Sequence, residues 1–500
     1  MNLLQIQKDN NTLGIIHFIG IGGMCISAIA EIMWNLGYVV QGSDASQSVN
    51  TQRLSNLGIN IFYNHRGSNV KGVEYVVAST AIKSDNPEII FAKENNIPIV
   101  TRAEMMSEIM KMKTSISISG SHGKTTTTSM IAHIFETMKL EPSVIAGGIL
   151  NNKATNAYHG DGKYIIAEAD ESDGTFIKVP SSIAVITNID PEHLDFYKTF
   201  DNLKNAFRSF IQNIPFYGFA VACIDNAVVR DIVNSIKNRR IYTYTVDASK
   251  KANIMAINMR LEKNHSTFDI QMLGDKGVKV FQNLLLPVPG IHNIQNSLAA
   301  ISVGVNLGID INDIKKCFLS FQGVQRRFTN VGDICFGKQF SVRVIDDYAH
   351  HPEEIISTLK VAQNYVLKSQ DSTAQKSKGR IIAIFQPHRY SRLKLLLQDF
   401  VKSLDIADYV CVTPIYSAGE QKDDTISSAI LVQNINDISP NKAFEYNSVN
   451  DVILGISPPH GCDNNNIVLQ PNDIIIFMGA GDITKWAYSY YEFYMSRVYS

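Results

Sequence analysis

A glycine-rich turn between a strand-like and a helix-like segment places the strongest constraint on how this 500-residue chain folds. Residues Thr114–Ser119 alternate polar and apolar side chains, as a β-strand does, and lead into Gly120–Thr128, which reads GSHGKTTTT. Apolar residues then recur at helical spacing from Met130 to Met138. The pattern predicts a strand, a tight turn and a helix in succession, as in an α/β domain.

The turn itself predicts a phosphate-binding loop. Backbone N–H groups at a helix N-terminus attract anions, and the helix dipole adds to that attraction. Lys124 can reach the outer phosphates of a nucleotide, and the Thr125 hydroxyl can bind Mg²⁺. Two residues separate Gly120 from Gly123, whereas the standard loop has four, so we interpret the stretch as a compact ATP-binding loop. Its predicted ATP-binding residues are Gly120, Ser121, His122, Gly123, Lys124, Thr125 and Thr126.

Composition limits the classes of protein to which the chain can belong. At roughly 150 residues per domain, its length suggests about three domains. The formal net charge of -1 provides no broad basic field, so we expect neither nucleic acid nor a membrane surface as a partner. The six cysteines are scattered without a C-x-x-C pair, which favours reduced thiols in a cytoplasmic protein. The polar N-terminus resembles no leader peptide, and no apolar run approaches ~20 residues.

A second glycine-rich turn lies near the N-terminus. The apolar segment Gly14–Ile19 leads into Gly20–Gly23, a helical pattern follows, and Tyr38–Val40 predicts another strand that ends near Asp44. This is a βαβ unit whose first turn suits a pyrophosphate. Cys25 stands where the third glycine of such a turn is usual. The unit suits NAD, with Asp44 on a ribose hydroxyl, and equally a different nucleotide diphosphate.

Polar clusters follow two further predicted strands. The segment Glu168–Asp173 contains four carboxylates, which repel one another unless they are solvated or share a cation. The segment Asn188–Asp195 adds a histidine at a strand end, where α/β sheets place ligands. Thr125, Glu171 and His193 are therefore candidate Mg²⁺ ligands, although Mg²⁺ prefers oxygen to nitrogen.

Two further stretches suit a nucleotide. A helix opens at Gly290–Ala300, where His292, Asn293 and Asn296 can cap the helix or contact an adenine edge. The adjacent pair of arginines ending at Arg327 is a surface feature or a contact to a phosphoryl group in transfer.

The C-terminal part repeats one device three times, namely an apolar strand, a polar loop and a helix. The three copies are Arg343–Pro352, Ile381–Arg392 and Ile474–Asp482. We expect their loops to gather at one edge of a sheet.

Taken in order, these motifs resemble those of the Mur ligase family across nearly the whole chain. The matching stretches are His17–Glu31, Arg102–Met105, Gly120–Thr128, Glu168–Asp173, Asn188–Asp195, Gly290–Ala300, Arg326–Phe328, Asp346–Pro352, Gln386–Arg392 and Ser417–Glu420. The resemblance implies an α/β fold of three domains: a Rossmann-like domain over residues 1–112, a central P-loop ATPase-like domain over 113–328 and a Rossmann-like domain over 329–500.

The resemblance also implies an activity. It is the ATP-dependent joining of L-alanine to the lactoyl carboxylate of UDP-N-acetylmuramate through an acyl phosphate, in peptidoglycan precursor synthesis. It favours a UDP-sugar over NAD at the first glycine turn, and it implies Mg²⁺, or Mn²⁺ in its place, in a cytoplasmic monomer or homodimer. A recycling ligase that attaches a preformed peptide is the nearest alternative; a non-catalytic nucleotide sensor and an NAD-dependent oxidoreductase are more distant ones.

By position, the resemblance assigns a role to each candidate residue. The UDP-sugar-binding residues would be Gly20, Gly22, Gly23, Ser43, Asp44, Ser79 and Thr80. The catalytic residues would be Lys124 and Arg327 on phosphates, Asp347 on the ATP ribose or the amine, and His350 as acceptor of the amine proton. The nucleotide-binding residues would include His292, Asn293 and Asn296. The metal ligands would be Thr125, Glu171 and His193. The amino-acid-binding residues would be His388, Arg389 and Arg392.

Overall fold

Three large β-sheets with flanking helices, together with one two-stranded sheet, organise the described part of the chain, so the predicted α/β class is confirmed. The computed structural model describes residues 14–79, 82–151, 153, 155–274, 277–336, 340–368, 379–458 and 467–498. Within these ranges, no helix combines the length and the hydropathy that crossing a membrane requires.

The first sheet has five parallel strands in the order β3-β2-β1-β4-β5. Its strands are β1 (Ile15–Ile19), β2 (Val40–Ser43), β3 (Asn60–Phe62), β4 (Val73–Ala78) and β5 (Ile99–Thr101), and its helices are α1 (Met24–Asn35), α2 (Val49–Asn56), α3 (Pro87–Glu94) and α4 (Arg102–Lys111). Capping boxes at Ser48 and Thr101 begin α2 and α4, and Pro87 stands at the start of α3. The parallel order brings the carboxyl ends of these strands to one edge.

The central sheet has ten strands in the order β15-β14-β13-β12-β11-β10-β6-β9-β7-β8. They are β6 (Thr114–Ser119), β7 (Ser143–Leu150), β8 (Thr155–Tyr158), β9 (Tyr164–Glu168), β10 (Ile183–Ile186), β11 (Phe219–Cys223), β12 (Ile241–Thr245), β13 (Ile254–Leu261), β14 (Ser266–Gly274) and β15 (Gly277–Leu286). Its helices are α5 (Lys124–Thr137), α6 (Leu194–Tyr197), α7 (Phe200–Gln212), α8 (Ala227–Ser235), α9 (Ile291–Asn306) and α10 (Ile311–Phe318). Strands β9, β6 and β10 are parallel neighbours, so Glu168, Ser119 and Ile186 end at one edge.

The third sheet has six strands in the order β16-β17-β23-β18-β19-β20. They are β16 (Thr329–Phe336), β17 (Phe340–Asp347), β18 (Ile381–Phe385), β19 (Tyr409–Val412), β20 (Ala443–Glu445) and β23 (Ile474–Met478), and β21 (Ile456–Ser457) pairs with β22 (Ile467–Val468) apart from it. Its helices are α11 (Pro352–Lys368), α12 (Tyr390–Leu395), α13 (Leu397–Leu404), α14 (Ser428–Ile438), α15 (Val449–Gly455) and α16 (Ile483–Val498). As predicted, the strands of the three repeated devices, β17, β23 and β18, are parallel neighbours.

The chain packs into two compact units. One comprises Met1–Met259, Thr267–Pro287 and Ile291–Val324, and the other comprises Arg260–Ser266, Val288–Gly290 and Gln325–Ser500. Within the first unit, buried side chains of α1 share one apolar core with Ile145 on β7 and Ala157 on β8. That shared core joins the first and central sheets, and the boundaries near residues 112 and 328 stay predictions.

Candidate active site

The phosphate loop connects β6 to α5, and both of its glycines have backbone angles that favour glycine. Gly120 has φ 139° and Gly123 has φ 80°. A side chain at Gly120 would collide with the Thr187 hydroxyl, and one at Gly123 would collide with the Asn296 amide. The tight turn therefore depends on glycine at both positions for backbone and steric reasons.

The strand end after β10 holds this loop in place. The Asn188 side chain accepts from the His122 N–H at 2.7 Å and donates to its carbonyl at 3.1 Å. The Thr187 hydroxyl donates to the same carbonyl at 2.6 Å. The Asp190 N–H donates to the Ser121 hydroxyl at 2.9 Å. These bonds fix the loop backbone independently of any ligand.

Lys124, the first residue of α5, points back across the loop. Its Nζ donates to the Gly120 carbonyl at 2.6 Å and to the two Glu171 oxygens at 2.8 and 3.0 Å. Burial alone would lower the pKa of the Lys124 ammonium, but Glu171 and the neighbouring carboxylates outweigh burial and raise it. Burial would raise the pKa of the Glu171 carboxyl, yet Lys124 and His193 hold it at about 2. The lysine is therefore charged and paired with an ionised carboxylate that is 1% exposed.

The Thr125 hydroxyl contacts a carboxylate that is not among the predicted metal ligands. It donates to Glu168 at 2.9 Å, and the Gly147 N–H donates to the same oxygen at 2.8 Å. Burial raises the pKa of Glu168, although Lys124 partly offsets that effect. The structure thus brings Thr125 and Glu171 to the same loop, while Glu168 is a neighbour that the sequence prediction left out.

Glu171, Glu192 and His193 form a group that could hold a metal ion, because their ligand atoms lie within 4.8 Å of one another. His193 Nε2 lies 3.6 Å from Glu171 Oε1 and 3.7 Å from Glu192 Oε2. Two carboxylates supply the hard oxygen ligands that Mg²⁺ prefers. The two carboxylates therefore fit a divalent cation, and His193 is the nitrogen donor beside them.

The first two turns of α9 contain the residues that are predicted to contact a nucleotide. Asn296 is buried, and its side-chain oxygen accepts from the Thr127 hydroxyl at 3.3 Å, so it joins α9 to α5. His292 and Asn293 lie one turn earlier and are partly buried. Contacts of these three residues with a nucleotide stay predictions.

The first glycine turn is closed by Asp44. Gly20 has φ 74°, and the Gly22 N–H donates to Asp44 Oδ2 at 2.8 Å. Ser43 differs from the prediction, because it is 0% exposed and its hydroxyl donates inward to Glu88 at 2.6 Å. That burial does not favour direct contact between the Ser43 hydroxyl and a UDP-sugar.

The remaining residues predicted for this turn are placed only in part. Gly23 is exposed and directly precedes α1, and Ser79 is partly buried just after β4. Thr80 and the side chain of Cys25 lie outside the described residues.

In the second unit, Asp347 ends β17 with both carboxylate oxygens engaged. Oδ2 accepts from the Phe328 N–H at 2.7 Å, and Oδ1 accepts from the Ala349 N–H at 2.8 Å and from the Thr358 hydroxyl at 3.2 Å. Burial raises the pKa of Asp347 to about 6, against the opposing effect of Arg327. Asp347 thus anchors the loop, and its contact with ribose or amine stays a prediction.

His350 and Arg327 share one carboxylate. Glu354 accepts from Arg327 Nη1 at 3.2 Å and lies 3.1 Å from His350 Nδ1. The Tyr348 carbonyl lies 3.0 Å from the same ring nitrogen. Two acceptors at Nδ1 require its proton there, so in the neutral ring Nε2 keeps the lone pair. That tautomer can accept a proton from an amine.

His388 lies among positive groups. Its ring stacks on Tyr416 with centroids 5.6 Å apart, and Arg392 Nη1 lies 3.2 Å from its Nδ1. Burial, followed by the neighbouring His350, Arg392 and Arg389 side chains, lowers the pKa of His388 to about 3. The Arg389 N–H donates to the Tyr416 carbonyl at 2.8 Å. The loop therefore places uncharged His388 beside two guanidinium groups, an arrangement that suits a carboxylate.

Three family models cover most of the chain. "Mur ligase family, catalytic domain" matches residues 15–114, "Mur ligase middle domain" matches 118–304 and "Mur ligase, glutamate ligase domain" matches 326–481. A relative from Rickettsia bellii named "UDP-N-acetylmuramate--L-alanine ligase" is 51% identical over 492 residues, covering 97% of this chain and 98% of the relative. The chain belongs to the Mur ligase family.

Other similar proteins agree with this membership. A relative of the same printed name from Rickettsia prowazekii is 50% identical, covering 97% of this Mur ligase and 94% of the relative. A solved UDP-N-acetylmuramate-alanine ligase from Thermotoga maritima has a TM-score of 0.77 at 28% identity, covering 97% and 100% of the two chains. A murein peptide ligase from Psychrobacter arcticus has a TM-score of 0.66 at 20% identity, covering 97% and 98%, and shows the shared fold.

The prediction from sequence omitted several residues that shape the site of this Mur ligase. Glu168 and Asn188 both belong to the polar segments predicted at strand ends, and that position was the available signal. Glu354 lies four residues after His350 in the first turn of α11, a spacing that brings two side chains together on a helix. Tyr416 gave no comparable signal, because its contact with His388 is made across two loops.

Proposed function

We propose that this Mur ligase joins L-alanine to the lactoyl carboxylate of UDP-N-acetylmuramate, converting ATP to ADP and phosphate. The observation that carries the proposal is the near-full-length similarity, at about half identity, to relatives that carry this activity in their names. Lys124 supplies positive charge for the phosphates of ATP, and the cationic loop around His388 supplies positive charge for the alanine carboxylate.

The first step forms an acyl phosphate. A lactoyl carboxylate oxygen attacks the γ-phosphorus of ATP, the bond to the bridging oxygen breaks, and ADP leaves. Lys124 neutralises charge on the β- and γ-phosphates, and Arg327 stabilises the transferring group. Mg²⁺, held by Thr125 and Glu171 with His193 nearby, would supply further positive charge to the phosphate oxygens. The loop N–H groups between Gly120 and Thr126 orient the phosphates.

The second step forms the amide bond. The alanine nitrogen attacks the acyl carbon, phosphate leaves with the former carboxylate oxygen, and the amine loses a proton. His350 Nε2 accepts that proton in the tautomer fixed by Tyr348 and Glu354. Arg389 and Arg392 hold the alanine carboxylate by charge-assisted hydrogen bonds, with His388 as a neutral neighbour.

The remaining assignments complete the proposal. The division at residues 112 and 328 would separate a UDP-sugar domain, an ATP domain and an amino-acid domain. His292, Asn293 and Asn296 would bind the adenine end, and the nucleotide sugar would lie on Gly20, Gly22, Gly23, Asp44, Ser79 and Thr80. The reaction belongs in the cytoplasm, where ATP and nucleotide sugars are available, in a monomer or a homodimer.

The test is phosphate release from the purified full chain with ATP, Mg²⁺ and UDP-N-acetylmuramate, with and without L-alanine. We expect release that depends on alanine and a product heavier by one alanine residue in mass spectrometry. The same assay with a tripeptide in place of alanine tests a recycling ligase. Tripeptide-dependent release without alanine-dependent release would overturn the proposal.

A further inference from the structure

A fully buried carboxylate lies under the nucleotide edge of the first sheet. Glu88, in the first turn of α3, is 0% exposed. Its Oε2 accepts from the Ser43 hydroxyl at 2.6 Å and lies 2.9 Å from His65 Nδ1. Its Oε1 accepts from Asn69 Nδ2 at 2.7 Å and lies 3.4 Å from His17 Nε2. Four polar side chains thus converge on one carboxylate.

The charge on Glu88 determines where the protons lie. Burial raises the pKa of this carboxyl, but hydrogen bonds from His17, Ser43, Asn69 and His65 outweigh burial and hold it at about 2. An ionised carboxylate only accepts hydrogen bonds, so each group that faces it closely must donate. His65 therefore carries its proton on Nδ1, and in the neutral ring Nε2 keeps the lone pair.

His65 also lies where a nucleoside base is expected. In βαβ nucleotide folds, the pyrophosphate lies at the first glycine turn and the ribose lies at the end of the second strand. Ser43 ends β2, and its hydroxyl lies 3.2 Å from His65 Nδ1. The His65 side chain is 23% exposed, in the loop that follows β3. A base beyond the ribose would meet the exposed side of this ring.

We propose that Glu88 is a positioning residue that fixes His65 as a hydrogen-bond acceptor, and that His65 thereby selects uracil over cytosine. The N3 atom of uracil carries a hydrogen, whereas N3 of cytosine carries a lone pair. His65 Nε2 accepts a hydrogen bond from N3 of uracil. Facing cytosine, the lone pair of Nε2 meets the lone pair of N3 and the two repel. This inference rests on the proposed binding of a UDP-sugar to the first sheet.

Replacing Glu88 with glutamine reverses the polarity of His65. Asn69 still donates to the position of Oε1, so the amide oxygen is favoured there and the amide nitrogen faces His65. That nitrogen donates to His65 Nδ1, the ring proton moves to Nε2, and the ring becomes a donor. Glu88→Gln should therefore lose the preference for UDP without losing the shape of the site.

The test is calorimetric titration of the full chain with UDP and with CDP, without ATP or alanine, at pH 8, above the ordinary range of imidazole titration. For the unmodified chain we expect UDP to bind more tightly by about 10- to 100-fold, the effect of leaving one polar pair unmatched. Glu88→Gln should bring the ratio to within about threefold. His65→Gln, whose amide can present either polarity, should do the same and guards against misfolding of the first variant.

Glu94→Gln is the matched control, because Glu94 is an exposed carboxylate on the same helix. It should retain the full UDP preference. Equal binding of UDP and CDP by the unmodified chain would overturn the inference, as would variants that weaken both nucleotides equally and keep their ratio. Alanine-dependent phosphate release without discrimination between UDP and CDP would refute this inference alone, whereas absence of both would refute the proposed function as well.

Discussion

The phosphate loop and the loop around His388 handle charge in opposite ways. In the first, Lys124 lies 2.8 Å from a Glu171 carboxylate whose pKa is held at about 2, so the cation already has a partner. In the second, burial and neighbouring cations, Arg389 and Arg392 among them, lower the pKa of His388 to about 3. The phosphate loop thus contains a cation that is already paired with a carboxylate. The loop around His388 contains several cations around a neutral imidazole ring.

This difference separates two ways of preparing for an anion. A phosphate that reaches Lys124 must compete with Glu171 for the ammonium group. A divalent cation bound by Glu171 would reduce that competition. A carboxylate that reaches Arg389 and Arg392 instead offsets the positive charge that, together with burial, keeps His388 uncharged. The contrast predicts that substitutions at the phosphate loop change both the unfolding free energy and the rate of turnover. Substitutions near His388 should mainly change the binding of the amino acid.

The largest effect is expected for Lys124→Ala. Phosphate release should fall by about 10²- to 10³-fold, because a cation aimed at transferring phosphate is lost. The unfolding free energy should also fall, by about 3 kcal/mol, because Glu171 remains buried with its main partner removed. Steady-state kinetics and urea unfolding measure the two effects. Lys153→Ala, whose side chain is 48% exposed and lies 3.6 Å from Glu136, is the control and should change neither.

Gly120→Ala tests whether the geometry of the phosphate loop, apart from the charges of Lys124 and Glu171, is needed for ATP binding. A new Cβ would meet the Thr187 hydroxyl at a backbone angle of φ 139° that disfavours alanine. We expect ATP binding, measured by titration, to weaken by about 30- to 300-fold as the loop shifts. Gly72→Ala is the control, because its φ of 76° carries the same kind of strain with open space around it. Unchanged ATP affinity in Gly120→Ala would contradict the assigned loop.

Arg392→Ala tests the cationic side of the comparison. The KM for alanine should rise by about 10- to 30-fold, because a charge-assisted hydrogen bond to its carboxylate is lost, while the KM for ATP stays constant. Lys394, on the same helix, pairs with Asp423 and is 55% exposed, so Lys394→Ala should leave both constants unchanged. A parallel rise in both KM values would indicate a structural role for Arg392.

The smallest expected effect is the loss of stability at acidic pH that results from the lowered pKa of His388. Its pKa is about 3 when folded, whereas an unfolded histidine binds a proton below about pH 6.5. The unfolded state then binds more protons, so stability is lost as pH falls between these values. From pH 7 to pH 5 these two pKa values allow the unmodified chain to lose at most about 2 kcal/mol more than His388→Gln. Because His388 is only partly buried, we expect a difference of about 1 kcal/mol in urea unfolding. Identical pH slopes would show that His388 is not held neutral.

Motifs carried by a few consecutive residues were predictable from the sequence. The strand, turn and helix around Gly120 follow from local periodicity and glycine placement, as do the three strands β17, β18 and β23. What could not be predicted depends on distant residues. Ser43 was predicted to bind the UDP-sugar, but its hydroxyl donates inward to Glu88, 45 positions along the chain.

The same limitation applies to individual partners within the site. The acidic segment that begins at the end of β9 was predicted to bind Mg²⁺ through Glu171, and the sequence did not predict that Thr125 contacts Glu168 or that Lys124 contacts Glu171. Several carboxylates within six residues gave no means of deciding which one faces the loop. Strand register and helix direction decide this, and they are properties of the folded sheet.

The acyl phosphate is the central claim, and isotope transfer tests it most directly. UDP-N-acetylmuramate labelled with ¹⁸O in its lactoyl carboxylate is incubated with the full chain, ATP, Mg²⁺ and L-alanine, and the released phosphate is analysed by mass spectrometry. Attack of the carboxylate on ATP predicts one labelled oxygen in each phosphate formed from doubly labelled substrate. Alanine-dependent phosphate without label would contradict the account.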